Sequence, residues 1–312
     1  MIATVTLNPS LDEWMRLGSL RLGGLNRAAG FARYPGGKGV NVSRVIRTLG
    51  GRTVAFGLAG GEDGLILREL MNRLALPHRF VPVPGTTRNN YKIVTDRPRA
   101  LTEINMAGPR VRAVALRALW RELAQARPRP RCVVFSGSLP PGVPAPIYRR
   151  WIEALSRRGV PCVLDTSGEA LQQGLAAHPW LIKPNRHEAE ELLGRRMRGR
   201  RETLRAVGRL LERGPALVIL SLGADGALLG SGSPPSVWEA RPPAVKVDSA
   251  VGAGDSLVGG LLAGWASGQP LVEAFRLGVA AGAATAMTPG TELCHREDVR
   301  RILRRVTVRR IV

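Results

Sequence analysis

Short apolar runs alternate along this chain with amphipathic segments of about ten residues or more. The runs at 2–8, 53–58, 131–136, 161–165, 180–183 and 216–221 read as strands covered on both faces, because they lack the polar alternation of a half-solvated strand. The segments at 39–49, 63–75, 110–126, 146–158, 168–177, 186–193, 202–213, 254–266, 270–287 and 296–305 read as helices. This order predicts an α/β fold: a doubly wound, mostly parallel sheet flanked by helices. Two stretches, about 11–35 and 86–107, are strand-like with no helix between their strands. The second reads as a hairpin, Asn90–Thr95 and Leu101–Asn105, about a turn at Asp96-Arg97-Pro98-Arg99. Together they predict a small β-sheet lid inserted in a single domain spanning 1–312.

Composition changes this picture little. With 312 residues, 44% of them apolar, the chain can bury a large core. No apolar run reaches the roughly 18–20 residues needed to span a bilayer. The N-terminus enters a strand pattern at once (Ile2, Val5, Leu7), without the basic and apolar segments of a leader, so a cytoplasmic location is expected. Cys132, Cys162 and Cys294 are odd in number, far apart and without metal-ligand spacing, which predicts reduced thiols.

The net charge of +22 invites a nucleic-acid reading. Only Lys38, Lys92, Lys183 and Lys246 are lysines, and the arginines are spread over nearly every predicted helix. A binding surface would cluster its charge and bring a recognised motif, so no specific nucleic acid is expected. Arg replaces Lys on a solvated surface but not where a compact ammonium is needed. Lys38 and Lys183 fall inside motifs.

The strongest motif runs from Asp248 to Ser256 and leads directly into an apolar helix. Gly252, Ala253 and Gly254 are small enough for backbone amides to converge at the helix N-terminus, where the macrodipole favours negative charge. Such a turn suits the charge developing on a transferred phosphoryl group. Asp255 is placed there to act as a base, although an Asp at this position can also simply cap its helix. A second glycine-rich turn, Pro35-Gly-Gly-Lys-Gly-Val-Asn41, precedes another helix. It is no Walker A loop, since Gly39 follows Lys38 where Ser or Thr is required. Nor does a GxGxxG close any strand, which argues against a dinucleotide-binding dehydrogenase.

The pairing of Gly36-Gly37-Lys38-Gly39 with Val251-Gly252-Ala253-Gly254-Asp255-Ser256 resembles the ribokinase-type carbohydrate kinases, and more narrowly their phosphofructokinase and tagatose-6-phosphate kinase branch. The resemblance covers essentially the whole chain. It includes Thr6 to Asp12, Ser136 to Gly142, Asp165 to Gly168, Lys183-Pro184-Asn185 with Glu188, and Ser221 to Gly226. It implies an Mg-ATP-dependent kinase with Asp255 as base, and Gly252, Ala253 and Gly254 as the anion hole. The sugar phosphate would be held by Asp12, Gly37, Lys38, Asn41, Ser136, Ser138 and Asp165, with Asp165 also able to serve only as a cap. Arg88, and more weakly Arg27, would clamp the phosphate already on the sugar. Lys183, Asn185, Ser221, Gly223 and Gly226 would take ATP, and Glu188, with Asn185, would hold Mg²⁺ through water.

The sugar is the open point. Residues 165–171 and 290–294 resemble 6-phosphofructokinases, which use fructose 6-phosphate, and this is the reading preferred. Gly37-Lys38-Gly39 with Asn26-Arg27 is similar to 1-phosphofructokinases, and 102–109 to tagatose-6-phosphate kinases. A nucleic-acid-binding protein and a non-catalytic sugar-phosphate sensor are the rivals from other classes. A homodimer through the lids is also expected, because one lid face would expose Tyr91, Ile93, Leu101 or Ile104 unless a second copy covers it.

Overall fold

The computed structural model describes residues 1–311. Its first element, β1 (Ile2–Thr6), is fully buried and pairs in parallel with both β4 (Thr53–Ala59) and β8 (Cys132–Ser136). From β4 the sheet ends at β5 (His78–Pro82). From β8 it continues through β9 (Cys162–Asp165), β10 (Leu181–Ile182) and β11 (Leu217–Ser221), all parallel. The chain order therefore reverses on either side of β1, and the crevice outside the carboxyl ends of the strands at such a reversal is where open α/β sheets bind ligands.

Side chains of β1 and β8 alternate between two cores. Ala3, Val5, Val133 and Phe135 enter one, and Ile2, Cys132 and Val134 the other. The first core lies under α3 (Ala113–Ala124), α4 (Ile147–Ser156), α5 (Gly168–Leu175), α6 (Arg186–Leu193) and α7 (Gly199–Leu211). There Phe135 packs against Tyr148 and Trp151 at ring separations of 5.5 and 6.0 Å. The second lies under α1 (Lys38–Thr48), α8 (Ala253–Ala266), α9 (Leu271–Thr285) and α10 (Arg296–Leu303). The remaining helix, α2 (Gly61–Arg73), supplies Leu67 and Met71 to a smaller cluster around Leu11 and Phe80. α8 is buried almost all round, as its unbroken apolar sequence requires.

Three antiparallel strands extend the sheet beyond β11: β12 (Ala227–Gly232), β13 (Pro235–Arg241) and β14 (Thr307–Arg310). Neither these nor β5 were expected from the sequence. β12 is half glycine and serine, β14 is mostly polar, and β5 carries a His and an Arg, so none presents an apolar run. The main sheet is thus 10-stranded among the described residues.

A separate sheet of order β3-β2-β6-β7 is built from β2 (Ser10–Leu17), β3 (Gly30–Gly36), β6 (Arg88–Asp96) and β7 (Arg99–Asn105). The two strand-like stretches of the sequence meet there, with β2 and β6 parallel in register from Ser10 opposite Arg88. The hairpin turns between Asp96 and Arg99, as expected. Residues 18–29 form the exposed connection between β2 and β3.

The three cysteines are buried and unpaired. Among the described residues no helix is long and apolar enough to cross a membrane.

Candidate active site

One cavity of about 1410 Å³ lies between the carboxyl ends of the parallel strands and the small sheet. Asp255 enters it from the first turn of α8. The turn is made possible by Gly252, whose φ of 78° is left-handed and at which a Cβ would meet the Leu293 side chain at 2.6 Å. Of the amides that follow, Ala253 donates to Ala250 O and Ser256 to Gly252 O. Those of Gly254 and Asp255 have no partner among the described residues, and they point from the positive end of the helix. Gly252, Ala253 and Gly254 all line the cavity.

Asp255 is buried, and Asn41 Nδ2 donates to its Oδ2 at 2.9 Å. Burial, reinforced by the charge of Asp165, pushes its carboxyl up to about 7, against the opposing pull of Lys38, Asn41 and Lys183. A carboxyl with an affinity for protons near neutrality suits general base catalysis. Asn41 stands on α1 behind the turn of Gly37 and Lys38, which line the cavity with it.

Asp12, on β2, is held at Oδ1 by Ser10 Oγ at 2.8 Å and Asn90 Nδ2 at 3.2 Å. Its carboxyl lies flat against Gly36, where a Cβ would approach within 2.4 Å. On β6, Arg88 donates to Met106 O and Asn8 O, both at 3.0 Å, while its Nε is buried without a partner. Burial lowers this guanidinium, and Asp12 partly offsets the effect. Asn8 in turn donates to Ser138 Oγ at 3.3 Å, so Arg88 and Ser138 converge on one end of the cavity. At the other end lie Lys183, Asn185, Ser221, Gly223 and Gly226, with the turn of η1 (Gly223–Asp225) between the last three.

Three expected residues, Arg27, Ser136 and Asp165, are placed differently. Arg27 is exposed on the 18–29 connection and does not line the cavity. Ser136 is fully buried at the last position of β8, where its hydroxyl donates to Asp165 O; the pleat turns it inward, and only Gly137 and Ser138 reach the cavity. Asp165 neither lines the cavity nor caps α5, whose N-cap is Ser167. It is enclosed beneath the cavity floor, 3.3 Å from Lys183 Nζ and 3.4 Å from Lys38 Nζ. Burial alone would raise its carboxyl, but Lys183 and Lys38 outweigh that and hold it below the usual carboxylate range. In return the Asp165 carboxylate, the main cause, raises Lys38 against the opposing effect of burial. Glu188 forms a capping box with Asn185, each accepting from the other's backbone N–H at 2.9 Å. Its Oε1 faces Lys38 Nζ at 3.9 Å.

The cavity also takes in Asn8, Asn90, Lys92 and Asn105, none of which was singled out in the sequence. Lys92 carried one available signal, since it is one of four lysines in an arginine-rich chain. It is buried on β6 and donates to Glu103 at 2.6 Å. Arg241 to Val245, leaving β13, wall the far end; a proline-rich loop of this kind has no motif to announce it.

Residues 5–298 match the pfkB family carbohydrate kinases. The 1-phosphofructokinase of Bacillus subtilis (strain 168) is 39% identical over 311 residues, covering 100% of both chains. The ATP-dependent 6-phosphofructokinase isozyme 2 of Mycobacterium tuberculosis is 36% identical over 302 residues, which is 96% of this chain and 88% of that relative. The crystal structure of phosphofructokinase-2 from Escherichia coli in complex with substrates and products superposes with a TM-score of 0.92 at 34% identity, covering 97% of this chain and 98% of that one. A ribokinase-like fold, a helix-borne carboxylate beside free amides and these likenesses together make the chain a sugar-phosphate kinase that belongs to the pfkB family of carbohydrate kinases.

Proposed function

We propose that this protein transfers the γ-phosphoryl group of ATP to a fructose monophosphate, and that fructose 6-phosphate is the acceptor, giving fructose 1,6-bisphosphate. The observation that carries this reading is the position of Asp255, with the unpartnered amides of Gly254 and Asp255 beside it, in a cavity that has Arg88 and Ser138 at one end and Lys183 and Asn185 at the other. Two anionic ligands are thereby served by separate cationic groups, with the base between them.

Asn41 holds Oδ2 of Asp255, which leaves Oδ1 to take the proton of the attacking hydroxyl. The amides of the α8 turn receive the charge on the moving phosphoryl oxygens. Asp12, Gly37, Lys38 and Asn41 orient the sugar, and Arg88 with Ser138 clamps its phosphate as a guanidinium fork can. Ser221, Gly223 and Gly226 receive the adenosine. The small sheet serves as the lid that excludes water while Asp255 acts, so that 1–312 works as one catalytic unit.

A divalent cation fits this donor set sparingly. Among the described residues no group of three or more His, Cys, Asp or Glu side chains converges. Mg²⁺ matches such a site, because it keeps its waters and is held by one or two carboxylates together with substrate phosphates. Glu188 and Asn185 would hold it through water, and when bound it neutralises phosphate charge.

The second reading, fructose 1-phosphate, is favoured by the 39% identity to a 1-phosphofructokinase. An ADP-release assay with fructose 6-phosphate, fructose 1-phosphate and tagatose 6-phosphate decides between them. The highest kcat/KM is expected with fructose 6-phosphate; a higher value with another sugar reassigns the acceptor, and release no faster than without sugar rejects the kinase reading.

The outer face of the lid also supports a homodimer. Phe31 is 56% exposed and Ile104 47% exposed, and by strand alternation Tyr91 and Ile93 share that face. Leu101 does not: it pairs with Val94 and points to the side of Lys92 and Asn105. A second copy of the same sheet is the simplest cover for such a patch.

A further inference from the structure

Arg44 lies one turn beyond Asn41 on α1, and no phosphate or sugar group is within its reach in the reading above. It is partly buried, with its guanidinium 5.8 Å from the Tyr34 ring. One of its nitrogens, Nη1, donates at 3.1 Å both to Pro35 O and to Asn41 Oδ1. Burial pushes the group down to about 10, so it is still charged at neutral pH; Asp12, Tyr34, Cys294 and Glu292 face it from β2, β3 and the segment before α10 and act in the opposite sense.

A guanidinium has donors and no acceptor. The atom of Asn41 that meets Arg44 is therefore the amide oxygen, and the atom that meets Asp255 must be the amide nitrogen. The direction matters because Asp255 alternates between carboxylate and carboxylic acid in each turnover. A freely turning amide would follow it, donating to the carboxylate and accepting from the acid, and would stabilise both forms alike. An amide with its oxygen fixed elsewhere favours the carboxylate alone.

We propose that Arg44 is a positioning residue that fixes the Asn41 amide in one direction and so holds Asp255 as an oriented, hydrogen-bonded carboxylate ready to accept a proton. The groups facing Asp255 from the surrounding elements are Lys38 and Asn41 of α1, Asp165 of β9 and Lys183 after β10. Of these only Asn41 has an orientation open to choice, and Arg44 makes that choice. The inference rests on Asp255 being the base.

Met and Gln are close in shape, and both remove the charge of Arg44, but only Gln retains a donor for Asn41. Arg44→Met is expected to lower kcat by ~10-fold, the scale of one hydrogen bond to a charged group, with KM for ATP unchanged. Its acid limb of kcat against pH moves upward, as loss of a donor to the carboxylate requires. Arg44→Gln should stay within ~3-fold of wild type with the limb unmoved. In an Asn41→Ala background, Arg44→Met should cost nothing further, because both act through one contact. Equal kcat in the Met and Gln variants, or additive losses in the double variant, overturns the proposal. Asp255→Asn is assayed alongside: near-wild-type turnover there removes the base and this inference with it, whereas loss there with equal Met and Gln variants rejects the role of Arg44 alone. If Arg44→Met does not fold, neutron diffraction from the wild-type protein decides, since deuterons are expected on the Asn41 atom facing Asp255 and a bare oxygen there is contrary.

Discussion

Asn41 Nδ2 stands 2.9 Å from Asp255 Oδ2, so two glycine-rich turns that are 214 residues apart in sequence meet in a single hydrogen bond. In the proposed function the bond joins the end of the site that would receive sugar to the end that would receive the phosphoryl group. It also makes the chemistry of Asp255 separable from its place in the fold.

Replacing Asp255 by Asn preserves a side chain able to accept from Asn41 and removes only basicity. Turnover should fall by roughly 10²–10⁴-fold with little change in KM for either substrate. The protein should at the same time become more heat-stable at pH 8, by ~2 °C or more. The sign follows from the raised carboxyl: between an ordinary carboxylate range and about 7 the folded state holds a proton the unfolded state has lost, so stability declines as pH rises through that window. Steady-state kinetics and a melting scan of the two proteins at pH 5 and pH 8 test both halves.

For the wild type, kcat should climb with pH and level off above about 7, as Asp255 loses its proton. Below that point the slope should approach tenfold per pH unit. A flat profile between pH 5.5 and 8.5, measured with saturating substrates, would show that proton removal by Asp255 does not limit turnover.

Asp165 pairs with two lysines and does not line the cavity, and its replacement should behave accordingly. Asp165→Asn leaves Lys183, 5% exposed, without its counter-charge, and leaves Lys38 with only Glu188 at 3.9 Å. Unpairing a buried charge costs about 3–5 kcal/mol, with the partly exposed Lys38 contributing less. Denaturant unfolding should register a loss on that scale, and KM for ATP should rise, because Lys183 lies against the first turn of α8, 3.3 Å from a Cβ position on Gly254. A variant of normal stability whose only defect is sugar affinity would restore the sugar-contact role.

On the lid, Phe31→Asp and Ile104→Asp place charges on the outer face, and each should convert a dimer into monomers at micromolar concentration by sedimentation. Leu101→Asp, on the opposite face, should leave the mass unchanged. A dimer that survives both outer-face changes lies elsewhere, and a fully active wild-type monomer excludes the arrangement.

The helices, the parallel strands other than β5, and both glycine-rich turns were legible in the sequence because each is specified locally, by apolar runs, by helical periodicity and by small residues next to a helix start. Strands β5, β12, β13 and β14 were not, since their short sequences, broken by polar residues or glycine, become strands only when a neighbour supplies the ladder. The same division runs through the site. Asp255, Asn41, Arg88 and Lys183 were marked by motifs, and the cavity contains them all. Ser136 and Asp165 belong to equally clear motifs, yet a motif does not say which side of the last strand residue faces ligand and which faces the floor; the pleat and two lysines arriving from other elements decided that. The tasks of Lys92, marked only by being a lysine in an arginine-rich chain, and of Arg44, marked by nothing, were hidden for the opposite reason. Their surroundings exist only after β6 has paired with β7 and α1 has packed behind β3, because hydrogen-bond direction and burial are properties of distant residues brought together.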